Sequence, residues 1–316
     1  MPRFLGIDIG GTNVKAAIVP DDGTVAAFVV RPWSGGPPAD VVAAARELAD
    51  ELAPDGPRGI AACGAGCAGL VDGVRGVVYF SPNLPAWRDV ELARMLSGAL
   101  GIPTLIENDA NAAAYGEHAA GAARGAANAA VLTLGTGVGG GLILGGKLHR
   151  GAHGFAGEVG HATIDYDGVR CVCGGNGCLE RLVNAEAIVA RATELARGGH
   201  TRLADLLRAR PLTAKDVGEA ADLGDCAAVR TLEEIGRLLG VGLANLVQIL
   251  DLEVIVIGGG VASAGERLLV PARIEMAARV QGPSWRLPRV TLAELGETAG
   301  VVGAALLARD RLRAQA

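Results

Sequence analysis

The sequence predicts an α/β protein built from two duplicated halves. Two stretches, residues 4–19 and 130–144, are each predicted to form a strand, a glycine-rich turn and a second strand, and they lie about 125 residues apart. Half of the residues are hydrophobic but only 3% are aromatic, so Ala, Val, Leu and the 48 glycines must build the core. Such small side chains suit closely packed strands and helices. We expect the two halves to face a nucleotide between them.

The composition excludes several functional classes. A chain of 316 residues is long enough for two domains. Its net charge of -5 does not provide the positive charge that nucleic-acid-binding proteins use to bind phosphates. No apolar run approaches the roughly 20 residues that a membrane-spanning helix needs. The first residues lack a secretory signal pattern. We therefore expect a cytoplasmic protein with no membrane or nucleic-acid partner, whose cysteines are thiolates rather than disulfides.

The first hairpin carries a carboxylate where its first strand ends. Asp8 follows an apolar run and precedes the turn at residues 10–13, Gly-Gly-Thr-Asn. Glycine lets the backbone approach a ligand closely, and Thr12 or Asn13 can donate a side-chain hydrogen bond. Asp8 is either a hydrated Mg²⁺ partner beside a phosphate-binding loop or a turn aspartate satisfied by its neighbours.

Helices and strands then alternate. The predicted elements are a helix over 39–52, a strand over 59–66, loops over 69–73 and 81–87, and a helix to residue 100 capped by Asp89. Cys63 and Cys67 lie among alanines and glycines and are interpreted as core residues. Asn83 stands between two prolines, which stiffen the loop and suit a hydrogen bond to a ligand.

A second carboxylate, Asp109, lies between a short strand over 102–106 and an alanine-rich helix over 110–120. Asn108 and Asp109 are consistent with simple capping of that helix. The carboxyl end of a strand is also where α/β proteins bind ligands. The helix N-terminus would keep Asp109 ionised and able to accept a proton.

The second hairpin contains a glycine pattern like that of dinucleotide-binding folds. Gly135, Gly137 and Gly140 satisfy G-x-G-x-x-G, but that fingerprint requires a helix directly after the loop. The next residues predict a strand, so a Rossmann fold is excluded. The P-loop pattern is also absent from the sequence.

A cysteine cluster follows. Three of the six cysteines fall within eight residues, and the nearby glycines let their sulfurs converge. The candidate zinc ligands are His161, Cys171, Cys173 and Cys178. One imidazole and three thiolates suit a closed, structural Zn²⁺ site. The alternative is three buried, inert cysteines, which usually lie in apolar rather than glycine-rich surroundings. Glu158 and Glu180 bracket the cluster, so a metal would fix both carboxylates beside a polar pocket.

The C-terminal third is predicted to be mostly helical. Its elements are helices within 185–250, a strand over 252–257, a strand over 289–293 and a helix over 298–316. The glycine run 258–260 either admits an adenine and ribose or forms a tight turn. We expect a smaller domain of residues 1–109 plus 298–316 and a larger domain of residues 110–297.

Four motifs together resemble the ROK family of bacterial sugar kinases and related repressors. They are DIGGTN at 8–13, ENDANAAAYGE at 107–117, LGTGVGGGLILGGKLHRGAHGFAGEVGH at 134–161 and CVCGGNGCLE at 171–180. The motifs span nearly the whole chain. The resemblance implies a two-domain actin/hexokinase-like ATPase fold, made of duplicated ribonuclease-H-like domains and carrying a structural zinc site.

The resemblance also implies roles for individual residues. Asp109 would be the catalytic base. The sugar would contact Gly69, Asn83, Asn108, Asp109, Glu158, His161 and Glu180. The phosphates would bind at Asp8, Gly10, Gly11, Thr12, Asn13, Gly135, Thr136 and Gly137, and the adenosine at Gly258, Gly259 and Gly260. His161 would serve both metal and sugar.

The implied reaction is phosphorylation of a hexose at O6 by ATP and Mg²⁺, with glucose as the expected substrate. The alternatives are an N-acetylhexosamine or fructose kinase of the same family, and a non-catalytic sugar sensor. The repressors carry a DNA-binding segment before the first strand. Only three residues precede Phe4, so a kinase is expected. The resemblance further implies a homodimer or homotetramer.

Overall fold

The computed structural model describes residues 2–33, 35–54, 56, 59–81, 84–197 and 199–315. The strands are β1 Arg3–Ile9, β2 Asn13–Pro20, β3 Ala27–Pro32, β4 Ile60–Cys67, β5 Leu70–Asp72, β6 Val77–Phe80, β7 Arg88–Val90, β8 Thr104–Asn108, β9 Ala129–Leu134, β10 Val138–Leu144, β11 Lys147–Leu148, β12 Val254–Gly258 and β13 Arg289–Leu292. The α-helices are α1 Pro38–Leu52, α2 Leu92–Leu100, α3 Asp109–Ala120, α4 Leu179–Val183, α5 Ala185–Ala196, α6 Arg202–Ala209, α7 Ala214–Asp222, α8 Cys226–Leu250, α9 Glu266–Arg279 and α10 Ala299–Gln315.

Two mixed sheets form the framework. The first has the order β3-β2-β1-β4-β8, with β1 antiparallel to β2 and parallel to β4. The second has the order β11-β10-β9-β12-β13, with β12 parallel to both β9 and β13. Strands and helices alternate as the sequence indicated, so the predicted α/β class is confirmed.

The chain divides into two compact units. The first comprises Met1–Ala127, Gly141–Gly157 and Glu294–Ala316, and the second comprises Asn128–Gly140 and Glu158–Ala293. This division differs from the predicted boundary at residue 109. Helix α3 belongs to the first unit because it packs closely on α10. The contact is so close that a Cβ added at Gly303 of α10 would lie 1.7 Å from the Ala112 carbonyl oxygen of α3.

In the first unit, α10 lies directly on the sheet. Gly6 of β1 and Gly64 of β4 are register partners. A Cβ at Gly6 would lie 1.9 Å from the Val301 carbonyl oxygen, and one at Gly64 would lie 1.8 Å from that of Ala304. The helix therefore approaches the strands closely only because neither residue has a side chain. The opposite sheet face packs on α1 and α2 around the buried Trp87.

In the second unit, the 25-residue helix α8 packs along α9. Asp225 caps α8 by accepting hydrogen bonds from the amides of Ala227 and Ala228. At Gly236 and Gly240 an added Cβ would lie 2.6 and 2.5 Å from carbonyl oxygens of α9. Helix α8 lies within the region 185–250 that was predicted to be helical. Among the described residues, no helix combines the length and apolarity needed to cross a membrane.

Several local predictions were wrong. Residues 69–73 were expected to be a loop, but they contain β5, which forms a small antiparallel sheet with β6 and β7 in the order β5-β6-β7. Strand β3 was not predicted. Asp89 does not cap α2, because it lies in β7 with a φ of 49° and the helix begins at Leu92.

Candidate active site

Two carboxylates come together at one edge of the first sheet. Strands β1, β4 and β8 run parallel, so their carboxyl ends share this edge, where ligands bind in α/β proteins. In the register, Cys67 faces Ile9 on one side and Asn108 on the other. Asp8 precedes Ile9 and Asp109 follows Asn108. The Asp109 charge also raises the pKa of Asp8, so the two carboxylates interact.

Asp109 is the first residue of α3. Its Oδ1 accepts a 2.9 Å hydrogen bond from the Ala110 amide. Burial raises the pKa of Asp109 above its usual range, and the backbone hydrogen bond offsets only part of that rise. Burial therefore makes this carboxylate a stronger base than a free aspartate.

Asn108 caps α3, as the simpler interpretation predicted. Its Oδ1 accepts from the Asn111 amide at 3.0 Å, and its Nδ2 donates to the Gly69 carbonyl oxygen at 3.1 Å. Gly69 has a φ of 114°, and a Cβ there would lie 2.2 Å from the Phe80 carbonyl oxygen. An asparagine amide offers two donors and two acceptor lone pairs, so Asn108 keeps capacity for a ligand. Asn83 lies outside the described residues.

Beneath this edge lies a buried ion pair that the sequence did not reveal. Glu107 is 1% exposed and accepts from Arg150 Nε at 2.6 Å. It also accepts from Asn111 Nδ2 and from the Asn108 amide, each at 3.1 Å. The carboxylate thus ties the start of α3 to the segment that leads to residue 157.

Asp8 has the character of a cation ligand. Burial, and then the Asp109 charge, raise the pKa of Asp8 to about 6, while Lys15 opposes the rise. Lys15 Nζ lies 4.0 Å from Asp8 Oδ2, which is too far for a hydrogen bond. A largely buried carboxylate whose ion-pair partner, Lys15, is too far away for a hydrogen bond fits a hydrated Mg²⁺. The sequence analysis did not identify Lys15 as a neighbour of Asp8. A hairpin that turns at residues 10–13 pairs the two residues, as the structure shows.

The first glycine loop is held at several points. The Gly10 amide donates to the Asn13 carbonyl oxygen at 3.0 Å, and Asn13 Nδ2 donates to Thr12 Oγ1 at 3.1 Å. Trp33 donates two more hydrogen bonds, from Nε1 to the Gly10 carbonyl oxygen at 2.9 Å and from its backbone amide to the Thr12 carbonyl oxygen at 2.8 Å. Gly11 lies inside this fixed loop, which presents backbone groups as a phosphate site requires.

In the second unit, two glycine runs that are distant in sequence lie side by side. β9 and β12 are parallel neighbours, with Gly258 facing Thr133. Gly259 has a φ of 83°, and a Cβ there would lie 2.3 Å from the Leu134 carbonyl oxygen. The run 258–260 therefore adjoins the residue that precedes the second glycine loop, 135–137. A tight turn and a nucleotide-binding position are both compatible with this placement.

Glu180 links that loop to α4. Its Oε2 accepts from the Val138 amide at 2.9 Å. At Gly137 an added Cβ would lie 2.7 Å from the same oxygen. Glu180 therefore stands between the glycine loop and the cysteine cluster, whose last member is the residue before α4.

The predicted metal ligands converge. The candidate ligand atoms of His161, Cys171, Cys173 and Cys178 all lie within 4.8 Å of one another. Cys171 Sγ is 3.7 Å from His161 Nδ1, and Cys173 Sγ is 3.6 Å from Cys178 Sγ. Tetrahedral zinc with Zn–S near 2.3 Å separates its ligand atoms by about 3.7 Å. The residues present therefore fit a structural zinc ion.

The ring of His161 has two distinct sides. Nδ1 faces the sulfurs, whereas Nε2 lies 3.9 Å from Glu158 Oε2. Glu158 is exposed and His161 is half-buried. With a metal on Nδ1, Nε2 would keep a hydrogen for a ligand beside Glu158.

The two remaining strand cysteines are core residues, as predicted. Cys63 and Cys67 are fully buried in β4. Burial raises the pKa of the Cys63 thiol to about 12. Burial and the charges of Asp109 and Asp8 raise that of Cys67 further still. Both therefore stay protonated and unreactive.

The chain resembles characterised proteins along its full length. The family model described as "ROK family" matches residues 4–311. Glucokinase of Streptomyces coelicolor is 39% identical over 98% of each chain. A crystal structure of a ROK family glucokinase from Streptomyces griseus in complex with glucose and AMPPNP is 38% identical, with a TM-score of 0.84 and coverage of 98% of this chain and 99% of that one. ROK hexokinase of Thermus thermophilus is 35% identical, with a TM-score of 0.79 and 99% of each chain covered.

Proposed function

The chain belongs to the ROK family, and we propose that it is a glucokinase, which transfers the γ-phosphoryl group of ATP to O6 of glucose. The resemblance read from the sequence is thereby confirmed, and so is the sugar-kinase fold. The glucokinase of S. coelicolor and the glucose- and AMPPNP-bound structure from S. griseus support the substrate pair.

The observation that carries the proposal is the setting of Asp109. It is a carboxylate at the carboxyl edge of a parallel sheet, its pKa is raised by burial, and Asp8 lies within electrostatic reach. Phosphoryl transfer to a hydroxyl needs a proton acceptor and, close to it, a place for the phosphates and their metal. This edge offers both.

Asp109 would accept the proton of the sugar O6 hydroxyl. As O6 forms its bond to the γ-phosphorus, the bond from that phosphorus to the β–γ bridging oxygen breaks and ADP leaves. Positioning and charge neutralisation supply most of the rate in such reactions. The further sugar contacts that we propose are Gly69, Asn83, Asn108, Glu158, His161 and Glu180.

The glycine loops would bind the nucleotide. We assign the phosphates to Gly10, Gly11, Thr12, Asn13, Gly135, Thr136 and Gly137, and the adenosine to Gly258, Gly259 and Gly260. Asp8 would hold a hydrated Mg²⁺, which supplies positive charge against the phosphates when it is bound. The backbone amides of both loops would supply the remaining positive potential.

The cluster of His161, Cys171, Cys173 and Cys178 would hold a structural zinc ion. Four protein ligands leave no open position, so the ion would stabilise residues 161–178 without taking part in the reaction. Its effect on the sugar would come through His161, whose ring it orients. The cytoplasmic location and the assembly into a homodimer or homotetramer stay predictions.

A coupled ADP-release assay with Mg-ATP tests the proposal. The panel is glucose, N-acetylglucosamine, N-acetylmannosamine, mannose and fructose. We expect strong preference for glucose. Preference for an acetylated sugar or for fructose would keep the mechanism and change the substrate. Bound ATP without turnover on any sugar would instead identify a sensor.

A further inference from the structure

The second glycine loop is held by a short run of residues around the start of α5. The Ala185 amide donates to the Gly135 carbonyl oxygen at 2.9 Å. Asn184 Nδ2 donates to the Thr136 carbonyl oxygen at 3.0 Å. The Val138 amide, directly after the loop, donates to Glu180, so residues 180–185 contact Gly135, Thr136 and Val138. The loop conformation therefore depends on this run.

Asn184 uses the two ends of its amide for different purposes. It is 3% exposed. Its Oδ1 accepts from the Ala187 amide at 2.9 Å and so caps α5. Because that position requires an acceptor, the amide nitrogen must face the carbonyl of Thr136. A serine or an aspartate could cap the helix, but neither provides the second, amide donor.

Peptide geometry converts these bonds into an anion site. In a planar trans peptide the N–H points opposite to the C=O of the preceding residue. Holding the carbonyls of Gly135 and Thr136 toward α5 therefore turns the N–H groups of Thr136 and Gly137 to the opposite side. Two successive N–H groups with one direction form the kind of concavity that binds phosphate.

We propose that Asn184 is a positioning residue for nucleotide phosphate, acting through the backbone of Thr136 and Gly137. This inference rests on the proposed function, because it takes residues 135–137 as a phosphate loop. In this role Asn184 acts through its hydrogen bond to the Thr136 carbonyl oxygen. It sets the direction of the amides that would contact the phosphate.

The test compares two substitutions at one position with a capping control. Asn184→Ser keeps a capping oxygen but is too short to reach Thr136, and Asn184→Asp keeps the cap but replaces the donor with an acceptor. Thr201→Ala removes a similar N-cap, that of α6, away from the loop. AMPPNP affinity is measured by calorimetry, which needs no turnover, and KM values for ATP and glucose are measured beside it.

We expect AMPPNP to bind about tenfold more weakly to Asn184→Ser and more weakly still to Asn184→Asp. The KM for ATP should rise in the same order while the KM for glucose stays near that of the wild type. Thr201→Ala should lower the melting temperature without changing either constant. Unchanged AMPPNP affinity, or equal losses for both substrates, would overturn the inference. A wild type that binds AMPPNP but does not phosphorylate glucose would instead contradict the proposed reaction alone.

Discussion

Arg150 Nε donates a 2.6 Å hydrogen bond to Glu107 Oε2, joining two segments 43 residues apart in the sequence. Glu107 is almost fully buried, whereas Arg150 is 38% exposed, so the arginine reaches inward from the surface to neutralise an interior carboxylate. The same carboxylate receives bonds from Asn108 and Asn111. The ion pair therefore fixes the start of α3, where Asp109 lies.

Arg150→Met should destabilise the protein and slow the reaction. It leaves the buried Glu107 carboxylate without its cation, a loss worth about 1–3 kcal/mol of unfolding free energy. We expect kcat to fall more than the glucose KM rises, because the base loses its fixed position. Urea unfolding and steady-state kinetics measure both effects. Lys147→Met, an exposed cation in the same segment, should change neither. Adding Glu107→Gln to Arg150→Met should recover part of the unfolding free energy, because it removes the unpaired charge. If Arg150→Met lowers the unfolding free energy no more than Lys147→Met does, the ion pair does not stabilise the protein.

Asp109→Asn should abolish most turnover while the protein still binds its sugar. A positioned base contributes 10²–10⁴-fold, and the amide cannot accept the proton. Because burial raises the pKa of Asp109, the neutral amide should also raise stability at neutral pH. Stopped assays for ADP and glucose titration by calorimetry test both statements. Turnover within threefold of the wild type would remove Asp109 from the role of base.

The stability of the protein without Mg²⁺ should fall as the pH rises through the range from about 4 to 6. The pKa of Asp8 is raised from 3.8 to about 6, so the folded state binds this proton more tightly than the unfolded state does. The unfolding free energy therefore decreases as the pH passes from the unfolded to the folded pKa. For a side chain that is 20% exposed we expect about 2 kcal/mol.

The measurement is urea unfolding from pH 4.5 to 7.5 in EDTA. Asp8→Asn should lose this dependence and exceed the wild type in stability at pH 7. Asp167→Asn, which removes an exposed carboxylate, should retain it. Parallel pH curves for the wild type and Asp8→Asn would contradict the assignment of this dependence to Asp8.

Cys173→Ser should lose the metal, and Cys226→Ser should not. Both cysteines are exposed, but only Cys173 lies in the cluster. We expect about one zinc per chain in the wild type and in Cys226→Ser, determined by elemental analysis. The melting temperature of Cys173→Ser should drop by about 5–10 °C, and a strong chelator should lower that of the wild type similarly. Equal zinc content in the two variants would place the metal elsewhere.

Gly64→Ala should be severely destabilising although it adds a single methyl group. That carbon would lie 1.8 Å from the Ala304 carbonyl oxygen, so α10 must move away from the sheet. We expect a loss of about 3 kcal/mol in unfolding free energy. Gly98→Ala is the matched control, since Gly98 is in α2 with no atom within 4 Å of an added Cβ. That change should stabilise the protein by about 0.5–1 kcal/mol. Similar effects of the two substitutions would contradict the packing described here.

The framework and the two carboxylates were predictable because their signals are local. An apolar run followed by glycines marks a buried strand and its loop, as at residues 4–13 and 130–137. The cysteine spacing likewise predicted that the side chains of His161, Cys171, Cys173 and Cys178 would converge. A short sheet such as β5-β6-β7 gives no comparable signal, because strands of three or four residues are too short for a clear alternation.

Asn184 and Arg150 could not be singled out from the sequence, since their hydrogen-bond partners are distant in sequence. Asn184 lies 48 residues from Thr136, and Arg150 lies 43 residues from Glu107. Each is an ordinary polar residue in its local context. Lys15 could have been identified from the sequence, because a hairpin that turns at residues 10–13 pairs it with Asp8.

The close contact of α10 with β1 and β4 has a consequence for biosynthesis. The helix that covers Gly6 and Gly64 comes from the last residues described, 299–315, while the strands come from the first 67. The first unit therefore cannot complete its core on the ribosome until α10 has been translated. By then residues 128–140 and 158–293 have already emerged. We expect the second unit to acquire its fold first during translation, and the carboxylates of Asp8 and Asp109 to be fixed in place last.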